Sequence, residues 1–399
     1  MQPYVFSCDA HIAEPPELFL EKMPAHLKQW AIHGAKGDGY RITKIGDTEI
    51  LKSKIDFHQH KTGLTDARTP EAEDRSCVDK SDSFVSDCAV DTTRRGARDL
   101  TLRLEDMDRD GVDAELVNGP YEQISQIKDP ELRAACVRAV NDWARELHEE
   151  SQGRFIMLLP LPCLSPEEAT AELLRVAEFG LPTGVIFDWV FAPEPVMHQM
   201  WEPVWAAAAE TGIPVNLHAY PAGGSRQIGV GAPGLEPRNQ SLMRVANFPI
   251  GAMAELMSAV VFSGICDRHK AIRFVLEEAG VGWVPFMFWR FDREYEFGGP
   301  ESRVFAPDIP LKRMPSEIVR EHVYFTFEVE EEGGFRRVPE IGYENFLWAS
   351  DFPGLDSPWP DSTALGHAPA EAALGRDALQ RLVFENAVNL YKIPVTLPQ

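Results

Sequence analysis

Near the start of the chain stands Val5-Phe6-Ser7-Cys8-Asp9-Ala10-His11-Ile12-Ala13-Glu14-Pro15-Pro16. A short apolar run ends in an Asp and a His two positions apart, and Glu14-Pro15-Pro16 then stops the element. Residues i and i+2 of a strand point to the same face, so Asp9 and His11 can converge on one ion. A carboxylate beside an imidazole at a strand end suits a divalent metal. A doubly wound open sheet is expected to carry a glycine-rich phosphate loop after its first strand. Cys8-Asp9-Ala10-His11 stands there instead.

Downstream, strand-like and helix-like segments alternate. Short apolar strands end near Cys8, Asn118, Pro160, Phe187, Leu217, Leu276, Phe327 and Ala349, which makes eight. Helices are expected over Pro130 to Ser151 (amphipathic), Pro166 to Phe179, Val196 to Thr211, Leu242 to Phe262 (mostly apolar), Val281 to Tyr295 (aromatic-rich), Glu332 to Ile341 and Ala370 to Tyr391. Eight β-then-α units in one composition regime predict an α/β chain folded as a single (β/α)8 TIM barrel over residues 1–399. Residues 23–100 interrupt the alternation after the first strand and read as a long insertion or lid. Within them, Tyr40 to Ile45 and Thr48 to Leu51 flank Gly46-Asp47 as a β-hairpin.

At 399 residues and 44% hydrophobic content the chain can bury a sizeable core. A net charge of −23 argues against nucleic acid or an anionic membrane as partner. No apolar run is long enough for a transmembrane helix, and no basic-then-apolar leader opens the chain. The six cysteines are scattered without a Cys-x-x-Cys pair, which fits a cytoplasmic protein with free thiols.

In a barrel the chemistry collects at the C-terminal ends of the strands. Those ends carry Asp9 and His11, then His218, Glu278 and Asp351, all five competent as metal ligands. His218, Glu278 and Asp351 are also the candidates for proton transfer. Glu277 and Glu278 are adjacent, so strand alternation would aim one into the barrel and the other away; a salt bridge to a neighbouring helix is the competing role for Glu278. Asp351 before Phe352-Pro353 can equally cap a turn, and His218 can be a satisfied core histidine. Glu14, His58 and His60 are candidates for a second ion, with an exposed loop pair as the alternative for the two histidines. Asn118, Trp189, Tyr220, Arg290 and Trp359 are candidates for the substrate wall, although Arg290 can pair with Glu294 at i+4.

The chain resembles the amidohydrolase-related branch of the amidohydrolase superfamily, the metal-dependent barrel group that includes aminocarboxymuconate-semialdehyde and aromatic-acid decarboxylases. The resemblance runs through Asp9-Ala10-His11 with Glu14-Pro15, Leu104 to Asp113, and Val215-Asn216-Leu217-His218. It continues in Phe262-Ser263-Gly264, Leu347-Trp348-Ala349-Ser350-Asp351-Phe352-Pro353 and Asn386-Ala387-Val388-Asn389-Leu390-Tyr391. The family's decarboxylases carry His-x-His or Glu-x-His at the first strand, where this chain has Asp9-x-His11, and a His after the sixth strand, where Glu278 aligns. The resemblance implies a divalent metal cofactor and a small-molecule substrate that is hydrolysed or decarboxylated. The oxygen-rich ligand set suits Zn, Mn or Fe, and its excess of negative charge is one that a second ion beside the first would relieve. The acidic ligand set keeps open a non-heme di-iron monooxygenase on the same barrel. The aromatic-rich segment Trp283 to Phe297 offers a face for a homodimer.

Overall fold

The computed structural model describes residues 4–15, 17–37, 40–54, 95–218, 249–297, 311–329, 332–354 and 357–394. His58, His60, Tyr220 and most of the expected lid lie outside them.

Strand β1 (Phe6–Ser7) pairs in parallel with β5 (Ala114–Val117), once the insertion's β2 (Ile32–Gly37), β3 (Tyr40–Ile45) and β4 (Thr48–Lys54) have been passed. These three insertion strands form an antiparallel sheet. The Gly46-Asp47 hairpin is therefore present, and β2 adds a third strand to it. β5 pairs with β6 (Phe155–Met157), and the same run continues as β7 (Leu159–Pro160), which pairs with β8 (Val185–Ile186). From there β9 (Val215–Leu217), β10 (Phe274–Leu276), β11 (Val323–Phe327) and β12 (Phe346–Trp348) follow, each parallel to the one before. Backbone bonds from Cys8 N to Trp348 O (2.9 Å) and from Asp351 N to Asp9 O (3.0 Å) tie the last strand back to the first. Counting residues 155–160 as one strand gives the eight parallel strands of a (β/α)8 barrel.

The barrel strands are buried on both faces, as a parallel sheet ringed by helices requires. That is why they read as apolar runs with little alternation. Phe6, Phe155, Phe187, Phe274, Phe325, Phe327 and Trp348 are among the largest fully buried side chains. The surrounding helices begin on recognisable caps. Asp99 accepts from Leu102 N ahead of helix Leu100–Asp110, Asp129 from Leu132 N ahead of Pro130–Glu150, and Ser165 from Glu168 N ahead of Pro166–Ala177. Pro130 and Pro166 fill first-turn positions where a missing N–H costs nothing. Gly111, at φ +76°, ends the first of these helices in the left-handed conformation that a side chain resists.

Two helices differ from expectation. The C-terminal helix is broken at Gly375 (φ +87°) into Ala368–Leu374 and Arg376–Gln380, and ends as Asn386–Tyr391. The segment expected over Glu332 to Ile341 is two single turns, Glu332–Phe335 and Val338–Ile341, because Gly333-Gly334 and Pro339 interrupt the helical ladder. Among the described residues, no helix is long and apolar enough to cross a membrane.

Candidate metal centre

Four strand ends, those of β1, β9, β10 and β12, meet at one mouth of the barrel. β1 runs out into Asp9 and His11, whose backbone continues the parallel pairing as isolated bridges from Ala10 to Phe352 and from His11 to Asn118. His11 Nε2 stands 3.0 Å from Asp351 Oδ1 and 3.7 Å from Asp9 Oδ1. His218, just beyond β9, brings its Nε2 to 3.9 Å from Asp9 Oδ2 and 3.7 Å from Glu278 Oε1. The two imidazoles meet edge to face with ring centroids 5.1 Å apart. Donor atoms of Asp9, His11 and His218 lie within 4.8 Å of one another, and so do those of His11, Glu278 and Asp351. The five residues singled out at the strand ends are thus brought together.

Glu278 and Asp351 reach the cluster through backbone conformations that a strand pattern does not encode. Both have positive φ, +53° and +48°, uncommon for residues with a side chain. At Glu278 this turn is held by Thr326 Oγ1, which accepts from the Glu278 amide at 2.7 Å. It also corrects the expected alternation of one glutamate inward and one outward. Glu277 is fully buried against Asn118 and Asn216, and Glu278 is swung back to within 3.7 Å of His218 Nε2.

Glu277 is the site residue that sequence reasoning missed. It is fully buried, accepts from Asn216 Nδ2 at 2.7 Å and from Asn118 Nδ2 at 3.3 Å, and has its carboxyl pushed up to about 7. Burial causes that rise; the two amides and the His11 charge oppose it. Asn216, in the middle of apolar β9, was the available signal, since an amide inside a parallel strand needs a polar partner. Asp9 is pushed well above the carboxylate range by burial, then by Glu277, Asp351 and Glu328, while the Asn118 hydrogen bond pulls it down. Asp9 Oδ2 is buried and accepts no hydrogen bond among the described residues. Clustered carboxylates that penalise each other's charge, with a buried acceptor oxygen aimed at an imidazole, fit a divalent cation.

The other candidates fall in different places. Asn118 lies behind the ligands, fully buried, rather than on an open wall. Trp189 donates its Nε1 proton to His218 O at 2.9 Å and so braces the strand end that carries this imidazole. Trp359 is turned onto helix Leu100–Asp110, donating to Asp106 O at 3.0 Å, with its ring against Phe352. Arg290 is exposed on helix Val284–Phe297 and pairs with Glu294 at 3.1 Å, a surface role rather than one in a substrate wall. Glu14 is buried but belongs to neither ligand group among the described residues.

A family model described as amidohydrolase matches residues 55–393. Among solved structures, 5-carboxyvanillate decarboxylase from Sphingomonas paucimobilis superposes with a TM-score of 0.65 at 19% identity, covering 98% of this chain and 100% of its own. An amidohydrolase from Mycobacterium avium subsp. paratuberculosis K-10 gives 0.71 at 19% identity, with 98% and 100% covered. A 5-carboxyvanillate decarboxylase from Novosphingobium aromaticivorans DSM 12444, solved with manganese and 3-methoxy-4-hydroxy-5-nitrobenzoic acid, gives 0.66 at 15% identity, with 98% and 97% covered. Likeness at these identities speaks to the fold.

Proposed function

The chain belongs to the amidohydrolase family, and from that premise we propose that it is a metal-dependent enzyme that decarboxylates or hydrolyses a small aromatic or cyclic compound. The observation that carries this reading is the meeting of Asp9, His11, His218, Glu278 and Asp351 in two overlapping ligand triads at the barrel mouth. The similarly folded decarboxylases, one holding manganese and an aromatic acid, support the metal and the substrate class.

Asp9, His11, His218 and Asp351 would hold the ion. When bound, a dication supplies Lewis acidity toward a carbonyl or carboxylate and lowers the pKa of bound water. The chain's own groups do the proton work. Asp351 lies within hydrogen-bond reach of His11 Nε2 and serves as base toward an attacking water in hydrolysis. Glu278 keeps 27% of its side chain exposed, against 0–7% for the other four, so it exchanges protons with solvent most readily. In decarboxylation, one of these carboxyls in its acid form delivers the proton to the ring carbon as CO2 leaves. His218 stands against both Asp9 and Glu278 and orients the pair.

The test is elemental analysis of protein purified without chelator, joined to a screen of aromatic acids for CO2 release and of amides, esters and lactones for hydrolysis. One divalent ion per chain with either activity is expected; turnover that survives complete metal removal would sink the reading.

A second reading rests on the sharing of His11 by both triads and on the number of acids around it. Three carboxylates with Glu277 beneath them exceed the charge of one dication, and a pair of irons would balance them. Two irons per chain with substrate-dependent oxygen consumption would establish a hydroxylase instead.

The exposed Phe286, Trp289 and Phe297 on helix Val284–Phe297 support a second copy of the chain as partner. Light scattering of the purified protein decides it. The free, buried Cys8, Cys136, Cys163 and Cys266 support a cytoplasmic location, and the net charge of −23 weighs against nucleic acid and anionic membranes.

A further inference from the structure

We propose that Arg103 is a positioning residue that fixes the separation of His11 and Asp351 by clamping together the two backbone segments that carry them. Arg103 lies on the buried stripe Leu100, Arg103, Met107 and Asp110 of helix Leu100–Asp110 and is fully inaccessible to solvent. Its Nε donates to Glu115 Oε2 at 2.8 Å. Nη1 donates to His11 O at 3.0 Å, with Gly96 O at 3.4 Å, and Nη2 donates to Phe352 O at 3.2 Å. The guanidinium also stacks 4.3 Å from the Phe352 ring centroid. Phe352 O accepts from His11 N as well, at 2.7 Å, so one carbonyl joins the two segments and the arginine locks the joint.

A role limited to neutralising Glu115 would use the terminal nitrogens on the carboxylate. Here a single Nε serves Glu115, and both terminal nitrogens reach carbonyls that belong to, or directly follow, a proposed ligand. The planar fork spans these acceptors at once; a lysine ammonium, a compact point charge on a flexible stem, cannot reproduce that span. Groups behind the ligands orient them, and losing one typically costs about ten- to a hundredfold in metal affinity. The inference rests on the metal-centre reading above.

The experiment compares Arg103→Lys, Glu115→Gln and wild type, each stripped of metal and shown folded by circular dichroism. Manganese(II) affinity is titrated by the paramagnetic resonance of the free ion, and ligand geometry is read from the visible spectrum of the cobalt(II)-loaded protein. Arg103→Lys is expected to lose about ten- to a hundredfold in manganese affinity and to change the cobalt spectrum. Glu115→Gln, which keeps both carbonyl bonds, is expected to stay within about twofold of wild type, well below that loss. Equal affinity and spectra in Arg103→Lys, or an equal loss in Glu115→Gln, overturns the clamp. If Arg103→Lys does not fold, the double change Arg103→Met with Glu115→Leu, which replaces the buried pair by apolar side chains, carries the same comparison. A wild-type protein that binds neither metal refutes the metal centre itself.

Discussion

Asn118 and Asp9 are joined side chain to side chain, Nδ2 to Oδ1 at 2.9 Å, and the same nitrogen lies 3.3 Å from Glu277 Oε2. One amide thus sits between two buried carboxylates that would otherwise face each other uncompensated. It leaves Asp9 Oδ2 directed at His218. Asn118→Ala should let Asp9 hold its proton to still higher pH and weaken manganese binding by about tenfold at pH 7.5. Titration of the metal-stripped variant measures this, and an affinity equal to wild type would remove Asn118 from the support of the site.

Asp351 combines a 3.0 Å approach to His11 Nε2 with a left-handed backbone. Asp351→Asn keeps the volume and the place beside His11, but it loses the charge and the ability to accept a proton. Turnover is expected to fall by at least about a hundredfold while the melting temperature of the metal-free protein holds. A variant with near-wild-type turnover would exclude Asp351 from the reaction.

Gly354 is positioned against the same carboxylate. A Cβ built there would come 2.0 Å from Asp351 Oδ2 and 2.6 Å from Asp351 O. Gly354→Ala must therefore push Asp351 off its place, and it should lower metal affinity and turnover together. Crystallography of the variant reads the displacement directly. An unmoved Asp351 with intact affinity would show that the loop yields elsewhere.

The barrel and most of this centre could be read from residues alone for a simple reason. Each strand is buried on both faces, so it appears as an apolar run, and the polar residue that ends it marks the barrel mouth. Asp9, His11, His218 and Asp351 are such punctuation. Glu277 is hidden because a strand pattern carries alternation one residue past β10, whereas the positive φ at Glu278 breaks it there. Arg103 was hidden by its helix. A charged residue on an apolar stripe is visible in the pattern, but its acceptors, His11 O and Phe352 O, come from opposite ends of the chain and only the closed barrel brings them together. Arg290 had both readings open at i+4, and the surface pair is the one formed.

Glu14 offers a test of the chain's pH response. The carboxyl is fully buried, neither oxygen has a partner on another described residue, and burial pushes it from 4.5 up to about 8, with only its own backbone amide opposing. Below pH 4.5 the group is protonated in both the folded and the unfolded chain. Between 4.5 and about 8 the unfolded chain gives up the proton and the folded one keeps it, so stability falls as pH rises and levels off above 8. Glu14→Gln removes this titration. In chelator, the variant should match wild type near pH 4.5 and melt at a higher temperature at pH 8.5, as scanning calorimetry across that range would show. If wild type is instead the more stable at pH 8.5 without metal, the carboxylate is ionised and paired. If it becomes so only on adding iron or manganese, Glu14 is a ligand of a second ion, and the dinuclear reading gains its missing member.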